Sequence, residues 1–389
     1  MAEAVDRSGT ARSPHPARAV RRRSPDLDTP SLLIDLDALE RNVAQMQRVA
    51  DGAGVRLRPH TKTHKCPEIA RMQLSAGAAG ITVAKLGEAE VMVEAGVDDI
   101  LVAYPIVGEA KLARLRALAE RAAVRTTTDS VEVAEGLARV GRDLGRPIPV
   151  LVEVDTGLHR LGRPPGPPTV ELVMELERIR GIEVVGLLTH AGHAYRATGA
   201  QELRAIAERE GRDLVQTAER CAAAGLPLRE ISVGSTPTAR IVAGVAGVTE
   251  IRPGTYVFND VQQMRLGVAD EGSCAARVLV TVVAHPTAER FVLDAGTKAF
   301  TSDGADGAGG APFPGRGVVV GRPELRLDFM NEEHTVGHRT GRDDVRIGER
   351  LEVIPLHVCS TVNLFDEAVG VRAGAVERTF AIAGRGRMR

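Results

Sequence analysis

No apolar run in this chain approaches the roughly 18 residues that a membrane span needs. Cysteine is scarce, and Cys66, Cys221, Cys274 and Cys359 are scattered without a CxxC pair. That spacing argues against a disulfide framework or a structural zinc knuckle and fits a reducing cytoplasm. An excess of one charge is also missing. The formal net charge is −1 and both signs are mixed along the sequence, so no basic face is offered. Neither nucleic acid nor an anionic membrane is an expected partner. The first 26 residues lack the apolar stretch of a secretory signal. Rich in Arg, Ser, Pro and Ala and without periodicity, they read as a disordered tail.

What is present is a steady alternation of short apolar runs and helical patterns. A length of 389 residues suits a barrel-sized domain with a smaller partner. The strand candidates are Val55–His60, Gly80–Ala84, Asp99–Tyr104, Val124–Thr128, Ile148–Asp155, Glu183–His190, Glu230–Gly234 and Glu250–Val257. Helical patterns lie between them. In Glu109–Ala122, Leu112, Leu115 and Leu118 repeat every three residues and form one apolar face. Gly77, Gly96 and Gly225 stand where left-handed helix caps are wanted. Eight β/α units in a row predict a parallel sheet closed into a (β/α)8 TIM barrel. A doubly wound sheet is the runner-up, but no GxGxxG follows the first strand. The expected division is a barrel over residues 27–265 and a C-terminal β domain over residues 266–389. Strands are read at Ala275–Ala284, Arg290–Asp294, Gly317–Val320, Arg350–Pro355 and Ala368–Arg372. The Gly/Pro/Asp-rich stretch Ser302–Gly317 reads as a mobile or crossing loop. The early strand Ser31–Leu36 is surplus to the barrel and is a candidate to pair with the β domain.

In such a barrel the reactive groups gather at the C-terminal ends of the strands. Strand one ends in RPHTKTHK with Lys62, strand five leads to Arg160, and strand six to His190 and His193. Strand seven ends in the Gly234-Ser235-Thr236 turn, and strand eight runs into Tyr256. Backbone amides at a helix start with two hydroxyls make an anion cradle for a phosphate; the plain alternative is an ordinary N-cap. A lysine projecting into a mouth among His60, His64 and Arg58 would have its pKa lowered by neighbouring cations, which favours a free amine for Schiff-base chemistry. Lys65 and Lys85 read as solvated. His190 and His193 are candidate bases.

A second signal is VIPLHVCSTVNLFDE. His357 and Cys359, two apart on a predicted strand, would point to one side. Imidazole and thiolate are a zinc-favouring pair, and two protein ligands leave positions open for water and substrate. The plain alternative is a buried cysteine beside a half-exposed histidine.

The stretches RPHTKTHKCPEIA (Arg58–Ala70), LVEVDTG (Leu151–Gly157), GSTPT (Gly234–Thr238), RPGTYVF (Arg252–Phe258), LDAGTK (Leu293–Lys298), NEEH (Asn331–His334) and HVCSTVNLFDE (His357–Glu367) occur in this order. In them the chain resembles the D-threonine aldolase and D-serine dehydratase family of fold-type III pyridoxal-phosphate enzymes, relatives of alanine racemase. The likeness runs from about Asp28 to Arg387. It implies that Lys62 carries pyridoxal 5'-phosphate covalently and that Arg160 contacts the pyridine ring. Gly234, Ser235, Thr236 and Tyr256 would hold the phosphate, and His357 and Cys359 a divalent metal, zinc or manganese. It further implies a homodimer in which the β domain of one subunit meets the barrel mouth of the other, bringing the metal pair to the lysine.

The implied reaction is a lyase reaction on a small β-hydroxy-D-amino acid. KCPEIA, IVGEAKLARLRALA and TVNLFDE place retro-aldol cleavage of D-threonine-like substrates to glycine and an aldehyde first. Cys359 and HAGHAY lean towards dehydration of D-serine or D-3-hydroxyaspartate to a keto acid and ammonia. A racemase is disfavoured, because Tyr104, Tyr195 and Tyr256 all lie in the barrel half. A cofactor-carrier protein is disfavoured by the β domain and its His-x-Cys pair.

Overall fold

A computed structural model describes residues 26–303, 315–341 and 344–389. Except for Asp26, the tail read as disordered lies outside the described residues, as do residues 304–314 of the glycine-rich loop. The first strand, β1 (Ser31–Asp35), passes directly into α1 (Leu36–Ala53). Asp35 caps that helix by accepting from the Ala38 amide, and Gly54, at φ +67°, ends it in the left-handed region. The apolar face of α1 serves two cores. Met46 and Ala50 pack into the barrel layer, while Leu36, Leu39 and Val43 pack into the β domain.

The barrel strands are β2 (Arg56–Leu57), β3 (Ile81–Val83), β4 (Asp99–Val102), β5 (Ala123–Thr128), β6 (Ile148–Glu153), β7 (Ile182–Leu188), β8 (Glu230–Val233) and β9 (Glu250–Ile251). They pair in parallel in chain order, and β9 returns to β2. The remaining seam closes through the His60–Thr82 bridge, with Ala79 and Thr82 amides donating to Leu57 and Pro59 carbonyls at 2.8 Å. The helices between are α2 (Pro67–Ser75), α3 (Leu86–Glu94), α4 (Glu109–Ala119), α5 (Val131–Leu144), α6 (Pro167–Leu176), α7 (Ala200–Ala223) and α8 (Thr236–Val242). Leu112, Leu115 and Leu118 are buried on α4, as their spacing predicts. Outward-facing Ile81, Val83, Ile100, Val102, Val150 and Val152 meet the helix layer. Each such side chain contributes about 1.5–3 kcal/mol on burial.

The inward positions are different. Leu101, Leu151, Val185 and Leu188 form a small apolar group, but beside it runs a chain of charges. Arg252 Nη1 donates to Ser232 Oγ at 2.5 Å, and Ser232 Oγ donates to Glu250 Oε1 at 2.6 Å. Arg58 Nε then donates to the other Glu250 oxygen at 2.9 Å, and Arg58 Nη1 to Asp99 at 2.7 Å. The buried charges are acceptable because Arg58 is paired with Glu250 and Asp99, while Arg252 is hydrogen bonded to Ser232 Oγ and the Thr189 carbonyl.

Between the domains lies α9 (Val261–Arg265). The β domain comprises β10 (Ala276–Ala284), β11 (Arg290–Leu293), α10 (Thr297–Phe300), β12 (Gly317–Val319), β13 (Leu325–Met330), β14 (Thr335–Arg339), β15 (Arg350–Pro355), α11 (Val358–Val362), β16 (Glu367–Arg372) and β17 (Ala375–Ala381). The strands β10, β11, β14, β13, β12 and β15 close into a ring, and β1, β16 and β17 extend the sheet from β10. Thus β1 sits in the C-terminal domain, antiparallel to β10 and parallel to β16. Three strands, β13, β14 and β17, were not read from the sequence. One expectation is corrected: His357 and Cys359 are not on a strand. β15 stops at Pro355, His357 is the N-cap of α11, and Cys359 lies in its first turn. Among the described residues no helix is long and apolar enough to cross a membrane.

Candidate active site

Beyond β2 the chain makes a short turn, Thr61–Thr63, with Lys62 in its middle. The Lys62 amide donates to His60 Nδ1 at 3.4 Å. The lysine side chain enters a cavity of about 380 Å³ at the C-terminal mouth of the barrel. That volume is within the usual range for small-molecule sites, roughly 300–1,000 Å³. Lys85, Arg160 and Arg252 line it, together with His60, His190, Tyr104, Gly234 and Glu153. Burial, reinforced by Arg160 and Arg252, lowers the Lys62 pKa against an opposing pull from Cys359 and Glu88. Burial and the Lys62 charge hold both His60 and His190 well below the usual imidazole range, so both are neutral. Burial pushes the Glu153 carboxyl up, opposed by Arg160 and Arg252.

The predicted surroundings of Lys62 are partly corrected. His60 is beside it, but Arg58 extends towards the strand starts and Asp99. His64 points away, its Nε2 on Gln73 Oε1 at 3.2 Å and its Nδ1 accepting from the Cys66 amide. Arg160 and Arg252 supply the cations instead. Lys65 is not solvated: it is 9 % exposed, donating to Asn363 Oδ1 at 2.7 Å and paired with Glu88 at 3.2 Å. Lys85 Nζ lies 3.4 Å from the centroid of the Tyr104 ring, a cation–π contact at the cavity wall.

Of the phosphate candidates, Gly234 lines the cavity, at φ +107°, a backbone conformation that favours glycine. Ser235 instead caps α8 in a reciprocal capping box with Thr238. Thr236 Oγ1 accepts from the Tyr256 amide at 3.0 Å, and the Tyr256 hydroxyl accepts from Gln73 at 2.9 Å. Both Thr236 and Tyr256 line a second cavity of about 550 Å³ rather than that of Lys62. His190 Nδ1 lies 3.5 Å from the Gly234 carbonyl and faces Lys62. A short turn at Gly192–Arg196 carries His193 elsewhere, into an open cavity with Asp155, His159 and Arg209.

The structure brings the late His-x-Cys pair to the early lysine within a single chain. Thr63 Oγ1 is 3.2 Å from Cys359 Sγ, and Thr255 Oγ1 is 3.6 Å from it. The dimer expected to make this approach is not required for it. Burial alone would raise the Cys359 thiol, but the His357 hydrogen bond and charge, with Thr63 and Lys62, carry it below its ordinary value. Burial opposes the charge on His357, yet its bonds to Asp303 and Cys359 hold its pKa well above the ordinary value. Among the described residues no group of three or more His, Cys, Asp or Glu could hold a metal. A metal here would have two protein ligands and an imidazole–thiolate donor set, which suits zinc. A depressed lysine in a cationic cavity likewise fits an aldehyde cofactor bearing a phosphate. Sequence reasoning passed over Arg252, Glu153 and Asp303, and its reading of Lys85 as solvated is corrected by the place of that side chain on the cavity wall. The alternation Glu250, Arg252 along the last strand was the available signal for the first of these.

The family profile for the alanine racemase N-terminal domain matches residues 34–261, and a serine dehydratase domain profile matches residues 275–371. D-threo-3-hydroxyaspartate dehydratase of Delftia sp. (strain HT23) is 39 % identical over 86 % of this chain and 92 % of its own. The crystal structure of D-threonine aldolase from Filomicrobium marinum superposes with a TM-score of 0.88 at 32 % identity, covering 96 % of this chain and all of that one. A cysteine-to-alanine mutant of D-threo-3-hydroxyaspartate dehydratase, solved in the metal-free form, gives 0.85 at 37 % identity, covering 93 % and 99 % of the two chains. Fold and site thus define an alanine racemase-like barrel with an appended β domain. The chain belongs to the D-threonine aldolase and D-serine dehydratase family of pyridoxal-phosphate-dependent lyases.

His64 provides a test of the fold around the site. Burial pushes its pKa down to about 4, against 6.5 for a free imidazole. Between those values the unfolded chain binds a proton that the folded chain refuses, so stability is complete above pH 6.5 and is lost on acidification. The loss is on the order of 3 kcal/mol by pH 4. Urea unfolding of His64→Gln is expected to show a smaller decline over this window than wild type. Parallel declines would mean that His64 is protonated in the folded protein.

Proposed function

We propose that this chain is a pyridoxal-phosphate- and metal-dependent lyase that dehydrates β-hydroxy-D-amino acids with an acidic side chain, giving a keto acid and ammonia. The observation carrying this reading is the charge of the Lys62 cavity: Lys85, Arg160 and Arg252 face one buried carboxyl, Glu153, and two neutral imidazoles. A cofactor phosphate and a substrate with two carboxylates are the anions such a wall would accept.

When bound, the cofactor would supply an electron sink for the charge developing at Cα, and the metal would supply Lewis acidity towards the β-hydroxyl. Lys62 would hold the cofactor, and burial, by lowering its pKa, favours the amine form that would take the proton from Cα. Arg160, Arg252 and Lys85 would bind and orient carboxylates as fixed cations. His60 and His190, neutral and next to Lys62, would pass the proton on. Gly234 would let the phosphate approach the backbone, with Ser235 and Thr236 behind it holding the turn. His357 and Cys359 would hold the metal, zinc or manganese; the metal-free cysteine mutant of the related dehydratase supports that assignment. A homodimer remains part of the proposal, with exposed Val107, Phe329 and Ile347 as apolar surface for it to cover.

Retro-aldol cleavage, placed first in the sequence reading, is the second reading, and the close superposition on D-threonine aldolase favours it. Both are lyase reactions on β-hydroxy-D-amino acids. They separate by product. With D-threo-3-hydroxyaspartate, oxaloacetate and ammonia are expected; glycine and glyoxylate would instead establish the retro-aldol reading. D-serine and D-threonine are expected to turn over with lower kcat/KM, because neither offers a second carboxylate to Lys85 and the arginines. A preference for D-threonine would overturn the acidic substrate class.

A further inference from the structure

We infer that Asp303 is a positioning residue for His357, fixing the imidazole so that its Nε2 is presented as a metal ligand. The inference rests on the metal reading of His357 and Cys359 and adds a residue to it. Asp303 Oδ2 lies 2.5 Å from His357 Nδ1, and the same oxygen accepts from Ser360 Oγ at 2.8 Å. An ionised carboxylate can only accept, so the hydrogen of a neutral His357 must sit on Nδ1. The Nε2 lone pair is then the one left free. His357 is the N-cap of α11 and Cys359 lies in its first turn, so with Nδ1 committed to Asp303 it is Nε2 that is left for a metal shared with the thiolate. Cys359 Sγ, two residues on, lies 3.2 Å from Thr63 Oγ1, beside the turn that carries Lys62.

The placement of Asp303 is supported by a second contact. Three residues earlier, the carbonyl of Phe300 at the end of α10 accepts from Thr361 Oγ1 of α11 at 2.9 Å. The segment leaving α10 is therefore docked on α11 before it reaches the imidazole. A half-exposed ion pair contributes little to stability by itself. A carboxylate behind a ligating imidazole has a different role: it sets the tautomer, orients the ring and raises its basicity as a ligand.

The test is a titration of the metal-stripped, cofactor-bound protein with cobalt(II) alone, followed by the near-ultraviolet thiolate-to-cobalt band. Wild type is expected to bind with that band, and His357→Ala and Cys359→Ala to lose the site. Asp303→Ala is expected to bind about 10–100-fold more weakly, with the thiolate band regained at saturation. Asp303→Asn keeps an acceptor oxygen without the charge and is expected to fall between the two. Melting temperature and the cofactor absorbance should not move in either Asp303 variant, which separates positioning from a structural role. Wild-type affinity in Asp303→Ala, with His357→Ala inactive in binding, would overturn the inference and leave the metal site standing. No cobalt binding by wild type would overturn the metal reading and this inference together.

Discussion

Replacing Lys62 with alanine is expected to give a protein that retains no cofactor after borohydride reduction. Its turnover should fall by roughly four to six orders of magnitude, the scale seen when a nucleophile is deleted. The size of the effect follows from the geometry. Lys62 joins a reactive position, at the mouth of the barrel, to a pKa lowered first by burial and then by Arg160 and Arg252. Lys85 faces the same cavity from its wall, with Nζ held over the Tyr104 ring, and Lys65 is bound to Asn363 and Glu88. Mass spectrometry of the reduced wild-type protein should therefore find the cofactor on the peptide holding Lys62. A label on Lys85 would move the reactive centre across the cavity and overturn the assignment.

Chelation should have the next largest effect. A Lewis acid acting on the β-oxygen is worth several kcal/mol, so its removal should cut lyase turnover by roughly 10²–10⁴-fold. The cofactor absorbance should survive, because Lys62 needs no metal to hold it. The fold should survive as well: His357 and Cys359 sit at the start of α11, and the buried β-domain core is built from residues such as Val278, Val280, Phe291, Leu327, Val353 and Phe380, with Cys359 packed against it only as a partly buried side chain. His357→Ala and Cys359→Ala are expected to match the chelated enzyme: coloured, folded and nearly inactive. Full turnover after chelation on every β-hydroxy-D-amino acid tried would make Cys359 an ordinary part-buried thiol.

The barrel was legible because its outward strand positions are aliphatic and its helices carry periodic leucines, as at Leu112, Leu115 and Leu118. β13, β14 and β17 were not, since LRLDFM, TVGHR and AVERTFA carry charged residues at exposed or half-buried positions and lack a clean apolar run. Lys62 was placed correctly at a strand end, but its neighbours were not. Arg58 and His60 alternate onto the same inner side of the strand, yet a guanidinium can reach either way along the axis, and Asp99 and Glu250 draw it downward. His190 and His193 are three residues apart in a sequence that looks continuous; the Gly192–Arg196 turn sends them into different cavities. The apolar flank VIPLHV made His357 and Cys359 look like strand residues. Asp303 had no signal at all. It opens a stretch without periodicity and meets His357 54 positions later.

The position of β1 has a consequence for how the molecule is made. Its antiparallel partner β10 leaves the ribosome about 240 residues later. At a synthesis rate of about 5–20 residues per second, the wait is on the order of 10–50 s. During that time the whole (β/α)8 unit emerges, and Leu32, Leu33 and Ile34 form a nascent apolar segment with an open hydrogen-bonding edge on either side. α1, which follows without a break, can anchor through Met46 and Ala50 to the growing barrel and so keep the segment stationed where the later strands will arrive. A gene cut between the two domains would separate β10 and β16 from the strand that lies between them, leaving a gap within one sheet in place of two self-sufficient products.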